Sequence, residues 1–489
     1  MGEVLLVWNV LLPLLLAALL FISPEGWRKH LGQLATLICA ALALSLAWQV
    51  LQTGTLRIAL GEWPAPLGIT LRADGLSALL LALVAIVALP LAAHAPAWFQ
   101  RHEPANSRAL AWFWPLWLIQ WSALNLIFLA ADLFNAYVGL ELSGLAAVAL
   151  VALGGKREAV SAALRYLLLA LFGSMLYLLG VALLYGAGGV LDLTLLAGAI
   201  TGADGGAAAP RAALLLITLG LLIKTALLPF HFWLPAAHAS APAPVSAILS
   251  GLVVKASFAL LLRIWFELFV PLGLDGAGEV LGVLGIAAIL WGSLQAMRQQ
   301  RIKLLVAWST VAQLGYLFLV FALAVELAWA GSVLHALSHG LAKAALFLAA
   351  GNIALALGHD QIHRLHGAAG KLPLTFFTVA LAGVSLMGLP PSGGFAAKWL
   401  MLQAAIDGGR WPYVVAIIGG SLLAAGYLFP LLRHALAGTH DPRQRDEGRL
   451  LSWWLEIPPL LLASLALLLG LMALLPMSLL SGGMPVSLR

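Results

Sequence analysis

This chain is a succession of apolar runs, each about 20 residues long, the length of a membrane-spanning helix. Inside lipid every backbone N–H and C=O must be satisfied within the protein, which leaves helices and closed barrels as the only spanning structures. The ten-residue alternation of barrel strands is missing from the sequence. The expectation is an all-α integral membrane protein. Fourteen spans are predicted, near 4–22, 31–51, 75–94, 109–130, 132–153, 163–186, 209–229, 241–263, 275–296, 302–324, 327–356, 373–406, 413–432 and 453–475. Composition agrees: 62% of the residues are hydrophobic and 9% charged. The first run lacks a basic leader and a small-x-small cleavage site, and so reads as a retained span. Cys39 is the only cysteine, which excludes a disulfide framework and a cysteine-ligated iron–sulfur or zinc site within this chain.

The loops test the count. Those after odd-numbered spans hold sixteen Lys and Arg, including Arg443, Arg445 and Arg449, and those on the other side hold six. The positive-inside rule then places the basic loops in the cytoplasm and both termini outside, in a bacterial inner membrane. The net charge of +6 belongs to this topology and does not point to nucleic acid. One loop departs from the rule. After span 7 there is no Lys or Arg, and the sequence instead runs from Pro229 through His231 and Trp233 to Pro235. A second break stands at Pro390, Pro391, Ser392, Gly393 and Gly394. Prolines so placed interrupt a helix, and bare backbone at membrane depth survives only when buried in protein or beside water. Two broken spans, 7 and 12, suggest two inverted five-helix repeats, spans 4–8 and 9–13, a pattern that points to a transport site. The chain reads as one membrane domain: helices 1–3 over 1–108, repeats over 109–263 and 275–432, and a C-terminal helix over 453–489. The glycine-rich stretch 184–206 is expected to be an external loop.

Four lysines remain inside apolar runs: Lys224, Lys255, Lys343 and Lys398. A charge at mid-bilayer is costly and usually functional. Glu141 is the single deep acid and the natural partner of Lys224. Burial favours a neutral amine and a carboxylate favours the ammonium, so a Glu–Lys pair of variable spacing is a switch. The static reading is an ion pair that merely joins two helices. In span 11, His335, His339 and Lys343 recur every four residues. They lie along one helix face and cover about 12 Å of axis. Imidazoles suit a proton relay near neutral pH; the plain alternative is a pair of core histidines and a snorkelling lysine.

Asp132 is a candidate for ion uptake or a helix-start charge. His231 and His238 flank the first break and either relay protons or cap freed backbone. Trp112, Trp114, Trp117, Trp411, Trp453 and Trp454 stand near span ends, as interfacial anchors do. His359, Asp360, His363 and His366 have metal-like spacing, but a polar loop explains them as well, and no metal site is assigned. The sequence contains no phosphate-binding G-x-x-x-x-G-K-[ST] and no flavin or nicotinamide fingerprint. No cofactor is expected in this chain, and any ATP or redox drive must come from a partner.

These residues resemble a known family: the antiporter-like membrane subunit shared by Mrp-type Na⁺/H⁺ antiporters, respiratory complex I and membrane-bound hydrogenases. The strongest match runs from Lys224 to Ala239 (KTALLPFHFWLPAAHA), through Ala241 to Gly251 (APAPVSAILSG), to Lys255. Further matches are Lys303 to Thr310 (KLLVAWST) with Gln313, Gly315 and Tyr316; His339 with Lys343 and Gly351; and Gly388 to Trp399. Gly61 to Ile69 (GEWPAPLGI) and Asp132 to Val138 (DLFNAYV) look most like the D-type subunit of Mrp antiporters. Trp308 departs from the tyrosine of many relatives. The resemblance implies that Glu141 and Lys224 are the interacting pair of the first half-channel. It makes Lys255 the bridge to the centre, His335, His339 and Lys343 the central relay, with Ser309 auxiliary, and Lys398 the terminal group of the second half-channel. It implies a proton-translocating subunit among other membrane subunits of a cation (Na⁺)/H⁺ antiporter. The alternatives are a proton-pumping arm of a redox complex and an energising subunit of inorganic-carbon uptake. A structural scaffold with buried ion pairs is the competitor from another class.

Overall fold

The computed structural model describes residues 2–102, 107–202, 208–273, 275–438 and 451–488. The first helices are α1 (Gly2–Ile22) and α2 (Glu25–Thr53), followed by a short antiparallel hairpin of β1 (Leu56–Ala59) and β2 (Thr70–Ala73). Next come α3 (Gly75–His102), α4 (Ser107–Leu129), α5 (Leu133–Ala152), α6 (Arg157–Gly188) and α7 (Leu193–Gly202). Span 7 consists of α8 (Ala208–Thr225) and α9 (Trp233–Ser240), and span 8 of α10 (Ala243–Ile248) and α11 (Val254–Ile264) joined by a π-helical stretch, Leu249–Val253. Then follow α12 (Asp275–Met297), α13 (Ile302–Leu323), α14 (Glu326–Leu357) and the single turn α15 (Ala368–Lys371). Span 12 is α16 (Pro373–Met387) plus α17 (Gly393–Asp407), and α18 (Trp411–Leu436), α19 (Trp453–Leu471) and α20 (Leu474–Gly482) complete the chain.

Among the described residues, thirteen helices or joined helix pairs are long and apolar enough to cross a membrane. The broken pair α16 and α17 makes the fourteenth expected span. The two breaks stand five spans apart, as inverted repeats require. Loops pair with loops on the faces that the count demands. Leu71 bridges Ala130 and Asp132 bridges Asp192 on one face, while Arg301 bridges Gln361 on the other, the basic face.

Helix packing relies on small residues, which let backbones approach in lipid where hydrophobic drive is absent. α6 meets α8 where a Cβ on Gly220 would lie 2.4 Å from the Gly173 carbonyl, and α12 meets α13 where one on Gly315 would lie 2.4 Å from the Gly285 carbonyl. Span 8, α13 and α14 are almost wholly buried, whereas α1, α6 and α18 turn leucine, valine and methionine outward.

Four expectations need correcting. The basic-free loop after span 7 is no loop: Phe232 leads straight into α9, and the connection to span 8 is only Ala241–Pro242. Pro235 fits because the first turn of a helix has no intrahelical use for its N–H. The stretch 184–206 is not a plain external loop: α6 extends to Gly188 and α7 follows, burying Leu193, Leu196 and Ile200. Trp114 and Trp117 are core side chains at 0% and 1% exposure, whereas Trp112, Trp411, Trp453 and Trp454 are exposed. Arg263, counted with the loops, is buried at the end of α11. The inner-loop residues Arg443, Arg445 and Arg449 lie outside the described residues.

Candidate functional site

A helix that stops inside a membrane leaves carbonyls without donors; at the first break a tryptophan donates to one, and at the second a lysine does. α8 ends at Thr225, one residue after Lys224, and Trp233 donates its indole N–H to the Ile223 carbonyl at 3.0 Å. The Trp233 ring stacks on Tyr166 at 4.1 Å, fixing α9 against α6. The Lys224 ammonium meets Glu141 Oε1 at 3.3 Å and the Leu140 carbonyl at 3.4 Å. The Ser174 hydroxyl donates to the same Glu141 oxygen. Helices α5, α6 and α8 thus meet on one carboxylate, and the pair expected from the sequence is formed.

The next groups lie deeper. Thr225 Oγ1 bonds Ser257 Oγ at 2.9 Å, tying the Lys224 break to α11. Lys255 is fully buried and donates to the Ser250 carbonyl, a group that the π-helical stretch offers to a side chain. Such π segments recur at functional sites. Ser250 Oγ in turn bonds Thr310 Oγ1 at 2.9 Å. Lys343, also fully buried, donates to the Val306 carbonyl at 2.9 Å and to Ser309 Oγ, which gives the auxiliary Ser309 a contact.

His335 and His339 stack with ring centroids 5.9 Å apart and planes 3° from parallel. Each is 1% exposed, and all four of their ring nitrogens lack a hydrogen-bond partner in the protein. Tyr316 continues the line. Its ring lies 5.3 Å from His335 and 4.3 Å from the Lys398 ammonium, and its hydroxyl donates to the Ile417 carbonyl at 3.3 Å. Lys398 donates to the Leu386 carbonyl at 2.8 Å, at the second break, and to Ser421 Oγ at 3.2 Å. Lys398, Tyr316, His335 and His339 therefore follow one another as near neighbours.

The auxiliary candidates divide. Asp132 caps α5, accepting from the Asn135 N–H at 2.8 Å and its side-chain amide at 2.6 Å. Burial pushes its carboxyl above the ordinary value. His231 is half-buried beside Trp308, with rings 5.4 Å apart. His238 is 1% exposed, stacks on Phe347 at 4.7 Å, and has no partner for Nδ1. In the loop with metal-like spacing, Asp360 is held by Arg301 at 3.0 Å.

Sequence reasoning missed Tyr316 as a link, although it stands in a matched motif, and missed the hydroxyls of Ser174, Ser250, Thr310 and Ser421. It also missed two buried polar sets. His94 Nε2 lies 2.9 Å from Asn352 Oδ1. Buried Arg72, Asp74 and Arg263 cluster with half-buried Glu267, Arg263 donating to Asp74 at 2.7 Å and Arg72 to Glu267. Burial alone would raise the Asp74 carboxyl, but the guanidinium groups of Arg263 and Arg72 outweigh it and bring it down to about 2.

The comparisons with known proteins fit this geometry. Residues 130–424 match the family model described as NADH:quinone oxidoreductase/Mrp antiporter, TM. A NADH-quinone oxidoreductase subunit N from Desulforudis audaxviator is 36% identical over 90% of this chain and 88% of its own length. The D-type subunit of a Na(+)/H(+) antiporter from Alkalihalophilus pseudofirmus is 26% identical over 96% and 94%. In the Mrp complex from Dietzia sp. DQ12-45-1b, one chain superposes with a TM-score of 0.89 at 26% identity, covering 99% of this chain and 98% of that one. A multi-pass chain whose matched region contains Glu141, Lys224, Lys255, His335, His339, Lys343 and Lys398, it belongs to the NADH:quinone oxidoreductase/Mrp antiporter family of membrane subunits.

Proposed function

We propose that this chain is the proton-translocating subunit of a multisubunit cation/proton antiporter. Protons move along Glu141, Lys224, Lys255, the His335, His339 and Lys343 relay, and Lys398, while Na⁺ or a similar cation moves elsewhere in the complex. The observation that carries the reading is the Glu141–Lys224 pair, 3.3 Å apart beside a helix break and joined to α11 through Thr225 and Ser257. A static pair needs no break beside it, and a break costs backbone hydrogen bonds. The unpartnered imidazole nitrogens along α14 fit a hydrated axis, since a buried nitrogen left dry costs about 1–3 kcal/mol. The likeness to the D-type antiporter subunit over most of both chains supports the cation/proton coupling.

The second reading keeps the axis and changes the driver: a proton-pumping arm of a redox complex. It is favoured by the 36% identity to a NADH-quinone oxidoreductase subunit N. On either reading the partners are other membrane subunits, and the basic face is cytoplasmic with both termini outside.

The test begins with the complex that copurifies in mild detergent. Small hydrophobic subunits without iron support the antiporter, and iron–sulfur subunits support the redox arm. In inverted vesicles carrying the assembled complex, Glu141→Ala and Lys224→Ala are expected to abolish proton transport. Normal transport in both variants would end the pathway assignment.

A further inference from the structure

On the basic face the structure holds a feature that leads toward the relay described above. A cavity of about 610 Å³ opens there, with Lys156, Ala241, Lys303, Gly351 and Asp360 among its walls. The sequence places Lys303 among the loop charges of that face. In the structure it stands on the first turn of α13, half-buried, with its ammonium under the end of the broken span 7. It donates to the carbonyls of Ala241 at 2.5 Å and Ala239 at 3.5 Å. Its acidic neighbour Asp360 is already held by Arg301, and the Asp360 carbonyl accepts from the Ile302 N–H at 2.9 Å.

One turn further along α13, the Val306 carbonyl accepts from Lys343. One residue before Ala239 on α9 is His238, with its open Nδ1 and its ring stacked on Phe347, one turn beyond Lys343 on α14. The cavity, Lys303, the end of α9 that carries His238 and the stretch of α14 from Lys343 to Phe347 therefore follow one another inward from the basic face.

We propose that Lys303 is the basic-face port of the relay, exchanging protons between water in the cavity and Lys343 by way of His238. Inward, an N–H bond of the Lys303 ammonium breaks as one forms at His238 Nδ1. The imidazolium then releases its Nε2 proton toward the neutral amine of Lys343, and Lys303 regains a proton from cavity water. The inference rests on the proton-pathway reading above. The competing role is structural: a lysine that caps the C-terminus of α9 and opposes its dipole.

Arginine separates the two. Its guanidinium keeps the charge and the donors but does not deprotonate in proteins. In inverted vesicles with the assembled complex, Lys303→Ala and Lys303→Arg are both expected to transport at least tenfold more slowly than the parent. A cap alone predicts that Lys303→Arg works normally. That result, alongside an inactive Glu141→Ala, would overturn the port and leave the pathway standing, whereas an active Glu141→Ala would remove the pathway itself. Lys303→Cys in a Cys39→Ser background gives the second measurement, and it decides the matter if the arginine variant does not assemble. The introduced thiol is expected to react with a membrane-impermeant reagent from the basic face only, and S-aminoethylation, which rebuilds a titratable amine, is expected to restore transport. An unreactive thiol, labelling from the opposite face, or no recovery after aminoethylation would each overturn the proposal.

Discussion

The four deep lysines are satisfied in different ways. Lys224 has a carboxylate, Lys255 and Lys343 have carbonyls and hydroxyls, and Lys398 has a carbonyl, a hydroxyl and the face of Tyr316. That ring lies against both Lys398 and His335, and an ammonium over an aromatic face is worth about 2 kcal/mol when desolvated. Tyr316→Phe keeps the face and loses one hydroxyl bond, so its transport rate is expected to stay within about twofold of the parent. Tyr316→Leu removes the face and is expected to slow the initial rate of ΔpH collapse about tenfold or more. A phenylalanine variant as slow as the leucine one would assign the work to the hydroxyl. The lysines were legible because a charge inside an apolar run has few explanations. Tyr316 was not, because an aromatic residue in such a run packs as readily as any leucine.

At the scale of elements, the molecule is defined by where its helices stop. Proline announced both breaks, but not their extent: Pro229 lies in the break, while Pro235 sits harmlessly in the first turn of α9. The second break depends equally on glycine. Gly388 ends α16 in the left-handed conformation at φ 74°, which only glycine adopts without strain. At Gly394 a Cβ would stand 1.9 Å from the Ser385 carbonyl oxygen, so α16 and α17 approach backbone to backbone. Gly394→Ala must push the half-helices apart, and Lys398, four residues on, moves off the Leu386 carbonyl. The expected outcome is a complex that assembles poorly or melts several degrees lower, measured as the amount and Tm of the detergent-solubilised complex. An alanine variant with parental yield, Tm and transport would show that this contact yields easily. The hairpin was hidden for a different reason. Strands of four residues are too short to display alternation, and Leu56–Ala59 with Thr70–Ala73 gain their place from the helices beneath them.

Across the whole molecule, two polar groupings stand out among the described residues: the line that reaches from break to break and a cluster on the face opposite the basic loops. There Arg72 of the hairpin, Asp74 before α3, and Arg263 at the end of span 8 are buried beside half-buried Glu267, and the four carry no net charge. The chain end returns to the same place, where the Ser487 hydroxyl donates to the Phe266 carbonyl at 2.9 Å. Burying such a set is not cheap, but removing one member is worse, because it strands a charge at a cost of about 3–5 kcal/mol. Asp74 is the member with most partners. It accepts from Arg263 at 2.7 Å and from the Ser77 N–H at 2.9 Å. Asp74→Asn is therefore expected to lower the Tm of the complex at pH 7. The pH dependence has a definite sign. Asp74 stands at about 2 when folded, below the unfolded value of about 3.9. Its contribution, on the order of 2 kcal/mol, is fully present above about pH 4 and is lost as the pH falls toward 2. Melting curves between pH 7 and 2.5 should show the parent falling more steeply than Asp74→Asn below pH 4, and parallel curves would mean that the cluster does not hold this face together.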